Sequence, residues 1–391
     1  MRGIRVGSAF GIPIRLDITF LLVLPLFAWL IGADVSGLAG VINGLFGAAL
    51  DPEALSAGSM QWILGTAAAV GLFVGVLLHE FGHSLVAMRY GFKIESITLW
   101  LFGGVARFTE IPEDWKQELT IAVAGPIVSV LVGVVSYVGF VALPLGDPVR
   151  FVLGYLALTN VALAVFNMLP GFPMDGGRVL RALLARNRPH ARATQMAAEV
   201  GKVFAFLLGI FGLFANLFLV ALAFFIYMGA SSEAQQSVMK AAFQDVTVRD
   251  IMTPRDQLNV VDEKTSIATL MDRMFRERHT GYPVMRNGQL VGMITLDDVR
   301  EVREVERDAY RVDDVMAHEL VTISPDADAM EAIATMQQRG VGRLPVVHDG
   351  EFIGLVSRSD LVTAFNIIQS RGSLDSLDSL RTSEPSLDVR T

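Results

Sequence analysis

Residues His79-Glu80-Phe81-Gly82-His83 place two imidazoles four positions apart, with a carboxylate next to the first. On a helix, positions i and i+4 lie nearly above one another, so both rings reach one metal ion while Glu80 stands beside it as a proton acceptor. The string sits inside an apolar stretch, residues 62–88, where an ionisable side chain is costly and is retained for function. Three such groups within one and a half turns point to chemistry rather than packing. The chain has no cysteine, which excludes thiolate ligands, disulfides and a cysteine nucleophile and leaves His, Asp and Glu as metal donors.

A hydrolytic zinc centre takes three protein ligands and keeps one position open, so a third donor must come from elsewhere. Asp175 is the candidate. It lies in Asn167-Met168-Leu169-Pro170-Gly171-Phe172-Pro173-Met174-Asp175-Gly176-Gly177-Arg178, where two prolines interrupt an apolar run and two glycines follow the acid. Irregular backbone at membrane depth is tolerated only against protein or a wet cavity, so the expectation is a carboxylate on an irregular segment that bends toward the metal. Asn160 and Asn167 are seven apart, nearly on one helical face. Asn167 is expected to hold substrate backbone or an oxyanion, and Asn160 to make an interhelical hydrogen bond. Ala124-Gly125-Pro126 suits close helix packing and a bend. His190, His279, His318 and His348 have no matching ligand partner in the sequence and are assigned no metal.

The elements that position these groups are membrane spans. The 391 residues are 52% hydrophobic and only 18% charged, with mean hydropathy +0.48, which excludes an ordinary cytosolic enzyme. Stretches at about 17–32, 62–88, 119–142, 151–169, 195–213 and 214–230 meet the roughly 20-residue requirement for crossing a bilayer, giving six spans. Arg2, Arg5 and Arg15 precede the first, as at the start of a signal peptide, but no small-x-small cleavage site follows and the span is retained. Residues 92–108, rich in Ile, Thr, Leu, Trp, Val and Phe around Gly103-Gly104, suit a β-hairpin. Basic residues set the orientation. Segment 33–60 has none, whereas Arg89, Lys93, Arg107 and Lys116 follow the second span and Arg178, Arg181, Arg186, Arg188 and Arg192 follow the fourth. Both termini are thus expected on the cytoplasmic side of the cell membrane. His79, about nine residues from the cytoplasmic end of its span, lies roughly 14 Å deep at 1.5 Å per residue. The net charge of −8, from 40 acids and 32 bases without a long basic run, argues against nucleic acid as a partner.

After Gln235 short β-rich runs and turns replace the long apolar stretches, and one pattern occurs twice. Val248-Arg249-Asp250-Ile251-Met252, Gly281-Tyr282-Pro283-Val284 and Gly292-Met293-Ile294-Thr295-Leu296-Asp297-Asp298 are matched by Val312-Asp313-Asp314-Val315-Met316, Gly342-Arg343-Leu344-Pro345-Val346 and Gly354-Leu355-Val356-Ser357-Arg358-Ser359-Asp360. This resembles a tandem pair of cystathionine-β-synthase (CBS) domains over about 245–366. The resemblance implies an α/β module, a homodimer through the pair, and ATP or AMP held by Thr295, Asp298, Ser357 and Asp360, with Arg358 offering charge to phosphate. The alternative is a spacer or dimerisation module in which Asp298 and Asp360 merely cap the following helices. Residues 371–391 repeat Ser-Leu-Asp with little apolar bulk and are expected as a disordered tail.

The H-E-x-x-H string in one span and N-x-x-P-x-x-P-x-D-G-G in a later one resemble the site-2 protease family of intramembrane zinc metalloproteases, in its prokaryotic branch with C-terminal CBS domains. Met174 stands where that family usually has Leu, a swap of similar volume. The resemblance implies one zinc ion per chain on His79, His83 and Asp175, Glu80 as base, Asn167 in catalysis and substrate binding, and a hairpin whose Gly103 and Gly104 lie against substrate. The expected fold is a polytopic α-helical membrane domain of about six helices, residues 1–232, followed by CBS domains at 245–304 and 305–368. The expected function is hydrolysis of peptide bonds within or near the membrane segment of single-span substrates, as in regulated intramembrane proteolysis, modulated by adenine nucleotide. A CBS-gated transporter or channel is the alternative, but it requires polar groups along several spans, and here they converge on one site.

Overall fold

Among the described residues, five helices are long and apolar enough to cross a bilayer: α4 (Met60–Arg89), α5 (Trp115–Ala142), α6 (Asp147–Asn167), α8 (His190–Ala215) and α9 (Leu217–Ala242). The computed structural model describes residues 3–101, 103–108 and 114–382, and its chain divides into two units, Met1–Ser237 and Val238–Thr391. The expected first span is a bent pair, α1 (Phe20–Ala33) and α2 (Val35–Phe46), meeting at 70°, and it becomes the sixth crossing if the pair counts as one. Asp34 breaks it: its φ of −122° and ψ of 28° leave the helical region between the two helices. The short helix α3 (Pro52–Ser56) starts at Asp51, whose carboxylate accepts from the Glu53 and Ala54 amides. Helix α7 (Asp175–Ala185) lies between α6 and α8.

The distribution of side chains is that of a membrane protein. Ile127, Leu131, Val135, Phe211, Phe214 and Phe218 are exposed, whereas His79, His83, Glu118, Asn160, Asp175 and Arg181 are buried. In water the large apolar exposure would be a liability; in lipid it is the solvated surface, and the ionisable groups belong inside.

The expected hairpin forms as β3 (Ile94–Trp100) and β4 (Gly103–Phe108), antiparallel with Ile97 opposite Ala106. It belongs to a larger sheet, ordered β1-β2-β3-β4, because residues before the first span form a second hairpin, β1 (Ile4–Ala9) and β2 (Ile12–Leu16). The basic N-terminal stretch is therefore sheet: Phe10 and Gly11 take positive φ (54° and 80°), the turn that joins two strands tightly, and Arg5 pairs with Arg15. Strand β2 runs parallel to β3, which leaves β4 as a free edge among the described residues.

The second unit contains two three-stranded sheets, one per repeat. Strands β7 (Gly281–Arg286) and β8 (Gln289–Thr295) pair antiparallel with β6 (Val261–Asp262) alongside β7; β9 (Arg343–His348) and β10 (Glu351–Ser357) repeat the hairpin with β5 (Thr253–Pro254) alongside β10. Asn287-Gly288 and Asp349-Gly350 make equivalent turns with both residues at positive φ. The repeats exchange segments: β5 precedes the first repeat's hairpin but joins the second sheet, while Ala317 bridges to Met293 of the first. Tyr282, Val284 and Ile294 centre one core, and Leu344, Val346 and Val356 the other. The last helix runs from Arg358 to Thr382, so the backbone of 371–382, within the expected tail, is helical; 383–391 lie outside the described residues.

Candidate metal centre

Helix α4 carries His79, Glu80 and His83, and α5 crosses it so closely that Gly125 lies against both rings. A Cβ at Gly125 would overlap His83 Nε2 and stand 2.8 Å from His79 Nε2. The Gly125 position, expected to serve packing, thus makes room for the imidazoles. From the other side comes Asp175, whose Oδ2 is 3.1 Å from each Nε2; the two Nε2 atoms are 3.2 Å apart. All three residues are buried.

A second contact fixes the tautomer of His83. His83 Nδ1 lies 2.7 Å from the Ile121 carbonyl, which only accepts, so Nδ1 carries the proton and Nε2 presents a lone pair. His79 Nδ1 lies 2.9 Å from Ser129 Oγ, one further contact from α5. The lone pair of His83 Nε2, the Nε2 of His79 and a carboxylate oxygen therefore face one another, an arrangement suited to a cation. Tetrahedral coordination at 2.0–2.1 Å requires ligand atoms about 3.3 Å apart, and the observed 3.1, 3.1 and 3.2 Å fit zinc.

Asp175 does not sit on irregular backbone as expected. It is the first residue of α7, and the irregular stretch precedes it, so its carboxylate occupies the helix end that favours negative charge. Glu80 faces a cavity of about 360 Å³ lined also by the three candidate ligands, Gly104, Asn167 and Arg178. Asn167 lines the cavity, and its Nδ2 donates to the Leu163 carbonyl at 3.0 Å. Gly104 abuts Glu80: a Cβ there would overlap the Glu80 Cγ. Gly103 does not line the cavity; it begins β4 at φ +124°, a conformation that only glycine adopts readily. Asn160 is buried outside the cavity, and its Nδ2 donates to Leu156 of its own helix at 2.9 Å, not across helices.

Family models match both parts of the chain. Residues 67–146 and 145–208 match Peptidase family M50, and 248–304 and 312–367 match the CBS domain. A zinc metalloprotease of Methanocaldococcus jannaschii is 35% identical over 372 residues, covering 95% of this chain and 98% of its own. The chain belongs to the site-2 protease family of zinc metalloproteases. Rip3 of Mycobacterium tuberculosis is 30% identical over 383 residues, 93% of each chain. The solved site-2 protease from M. jannaschii is 37% identical, with a TM-score of 0.41 over 60% of this chain and 95% of that one.

In this metalloprotease the groups missed from sequence are those that orient the candidate ligands: Ser129, the Ile121 carbonyl and, in this role, Gly125. Ser129, a hydroxyl within a span, was the legible signal. Gly125→Ala is expected to displace the His83 ring and lower zinc content and cleavage together by about 100-fold or more, since a 1 Å misplacement costs about that much. Metal analysis of the purified variant checks this, and wild-type zinc with wild-type turnover would contradict the close approach.

The CBS pair holds a cavity of about 580 Å³ lined by Thr280, Thr295, Asp298, Glu319, Arg343 and Arg358 among others. Of the expected nucleotide residues, Thr295, Asp298 and Arg358 face it, whereas Ser357 and Asp360 are not in its lining. Both acids cap helices: Asp298 accepts from Thr295 N and Oγ1 (2.7 and 2.6 Å), Asp360 from Ser357 N and Oγ (2.8 and 2.7 Å). Arg343, not anticipated, donates to Thr280 Oγ1 at 2.7 Å, and burial draws its guanidinium below its ordinary pKa, with Asp360 opposing.

Proposed function

We propose that this chain cleaves peptide bonds within or near the membrane segment of single-span proteins, with one zinc ion on His79, His83 and Asp175. The observation that carries the reading is the convergence of two Nε2 atoms and Asp175 Oδ2 beside Glu80 at a cavity inside the helical unit. Zinc, when bound there, supplies a Lewis acid that activates water and polarises a peptide carbonyl. Glu80 takes the proton from the attacking water and passes it to the leaving amine nitrogen. Asn167 Oδ1 accepts a hydrogen bond from the substrate backbone. The free edge of β4, which meets Glu80 at Gly104, offers amides and carbonyls with which an unwound substrate pairs as an added strand. A substrate helix must be extended before its peptide bond is accessible, and strand pairing offsets the hydrogen bonds it loses.

The test is purified full-length protein in proteoliposomes with a panel of single-span substrates. Cleavage that a chelator stops and zinc restores, with one zinc per chain, is the expected result. Zinc-loaded protein that cleaves none of the panel while carrying ions or solutes across the vesicle would favour the transporter alternative.

The same reading places the CBS pair and both termini in the cytoplasm, supported by the basic residues that follow α4 and α6. It includes a homodimer through the CBS pair and an adenine nucleotide in the 580 Å³ cavity, where Arg343 and Arg358 meet phosphate and Asp298 a ribose hydroxyl. A nucleotide alters proteolysis only by favouring one arrangement of the pair. Arg358→Ala is expected to weaken ATP or AMP binding by about 10- to 100-fold, the value of a hydrogen bond to a charged group, about 1.5–3 kcal/mol. Calorimetry on the full chain in detergent measures it. Equal heats and affinity for variant and wild type would remove Arg358 from the site.

A further inference from the structure

A second cluster of ionisable groups lies inside the membrane unit, apart from the metal centre. Arg181 on α7 is buried, with Nε 2.7 Å and Nη2 2.6 Å from Glu118 Oε1 on α5, and Nη1 2.5 Å from Glu233 Oε1 on α9. Glu118 is 1% exposed, and its other oxygen lies 3.4 Å from His190 Nε2 at the start of α8, a contact in which neither atom makes a hydrogen bond. The guanidinium also lies over the Phe172 ring, 5.0 Å from its centroid, in the loop that leads into Asp175. Three helices and that loop thus meet at Arg181, and α8 meets its partner Glu118.

The position of the cluster gives it a task. Helix α5 orients both imidazoles, through the Ile121 carbonyl and Ser129 Oγ, and Glu118 lies one turn before Ile121 on that helix. Helix α7 carries Asp175, six residues before Arg181. The Arg181–Glu118 pair therefore ties the element bearing the third candidate ligand to the element that aims the other two. The short α7 is otherwise seated at its start by Gly176 and Gly177, whose backbone lies directly against residues 168–172.

We infer that Arg181 is a positioning residue for the metal centre, acting through α7 by its hydrogen bond and ion pair to Glu118. The inference rests on the reading of Asp175 as a zinc ligand. Glu118 holds the stronger arm, because it is buried and meets two guanidinium nitrogens, while the Glu233 side chain is 35% exposed and meets one.

The experiment uses full-length protein in detergent. Zinc affinity is measured by competition with a chromogenic chelator, the visible spectrum is recorded with cobalt in place of zinc, and melting is followed on metal-stripped protein. Arg181→Gln is expected to lower zinc affinity about 10- to 100-fold, the range for groups that orient metal ligands, and to alter the cobalt bands, with metal-stripped melting near wild type. Arg181→Lys recovers part of the affinity, and Glu233→Gln loses less than Glu118→Gln. Since a lone buried charge destabilises the fold, the double variant Glu118→Gln/Arg181→Gln removes both charges and tests the same point in a neutral cluster. Wild-type zinc affinity and cobalt spectrum in a folded Arg181→Gln or double variant overturn the inference, as does an affinity loss seen only where metal-stripped melting falls in parallel. Asp175→Ala in the same assays separates the two ideas. If it keeps wild-type affinity the ligand reading fails; if it loses zinc while the Arg181 variants keep it, the positioning role alone fails.

Discussion

Glu80→Gln lowers cleavage by about 100- to 10,000-fold while zinc content stays at the wild-type level. The magnitude is that of removing a positioned proton acceptor. The unchanged metal follows from helical geometry: Glu80 is one residue, about 100°, around α4 from His79, and it lines the cavity while the histidine rings turn inward against α5. Gln keeps the volume that Gly104 accommodates and carries no charge, so removing a carboxylate from a membrane helix does not weaken the fold. Single-turnover cleavage of a single-span substrate, with metal analysis of the same preparation, checks both halves. Cleavage within a few-fold of wild type would end the assignment of Glu80 as base, and loss of zinc would make it a ligand instead.

What could be read from the sequence divides by range. His79, Glu80 and His83 are legible because helical periodicity alone places them, and Asp175 because prolines and glycines announce an interruption in an apolar run. The residues that aim those candidate ligands were not legible in the same way. Ser129 is 50 positions from His79, Ile121 contributes only its backbone, and Glu118 finds Arg181 across 63 residues. No local pattern encodes pairings between helices whose packing is set by the whole unit. The N-terminal hairpin was hidden for a different reason: alternation of Ile12, Ile14 and Leu16 was present, but basic residues before an apolar run suggested a leader. In the second unit the repeat revealed the CBS pair but overstated its symmetry. Thr295 and Ser357 occupy equivalent positions and make equivalent caps, yet only the first lines the cavity, to which the second repeat contributes Arg343 and Arg358 instead.

Asp175→Asn is expected to abolish detectable cleavage and to lower zinc affinity by more than the roughly 10- to 100-fold cost of losing a group that merely orients a ligand. Asp175 Oδ2 is equidistant, at 3.1 Å, from both Nε2 atoms, so it closes the triangle of donors; without its charge two neutral imidazoles remain. Asn is the informative substitution because Asp175 also begins α7, where a carboxylate gains about 0.3–1 kcal/mol from the helix end. Ala would remove the ligand, the volume and any local hydrogen bonding at once, whereas Asn keeps size and polarity and gives up chiefly the anionic donor. A loss of zinc in Asn with melting of the metal-stripped protein within a few degrees of wild type then belongs to coordination, not to a frayed α7. Full zinc stoichiometry at wild-type affinity in the Asn variant would take Asp175 out of the coordination sphere. It would leave the third donor to be sought along the same cavity wall, where Glu80 is the only other carboxylate among the described lining residues.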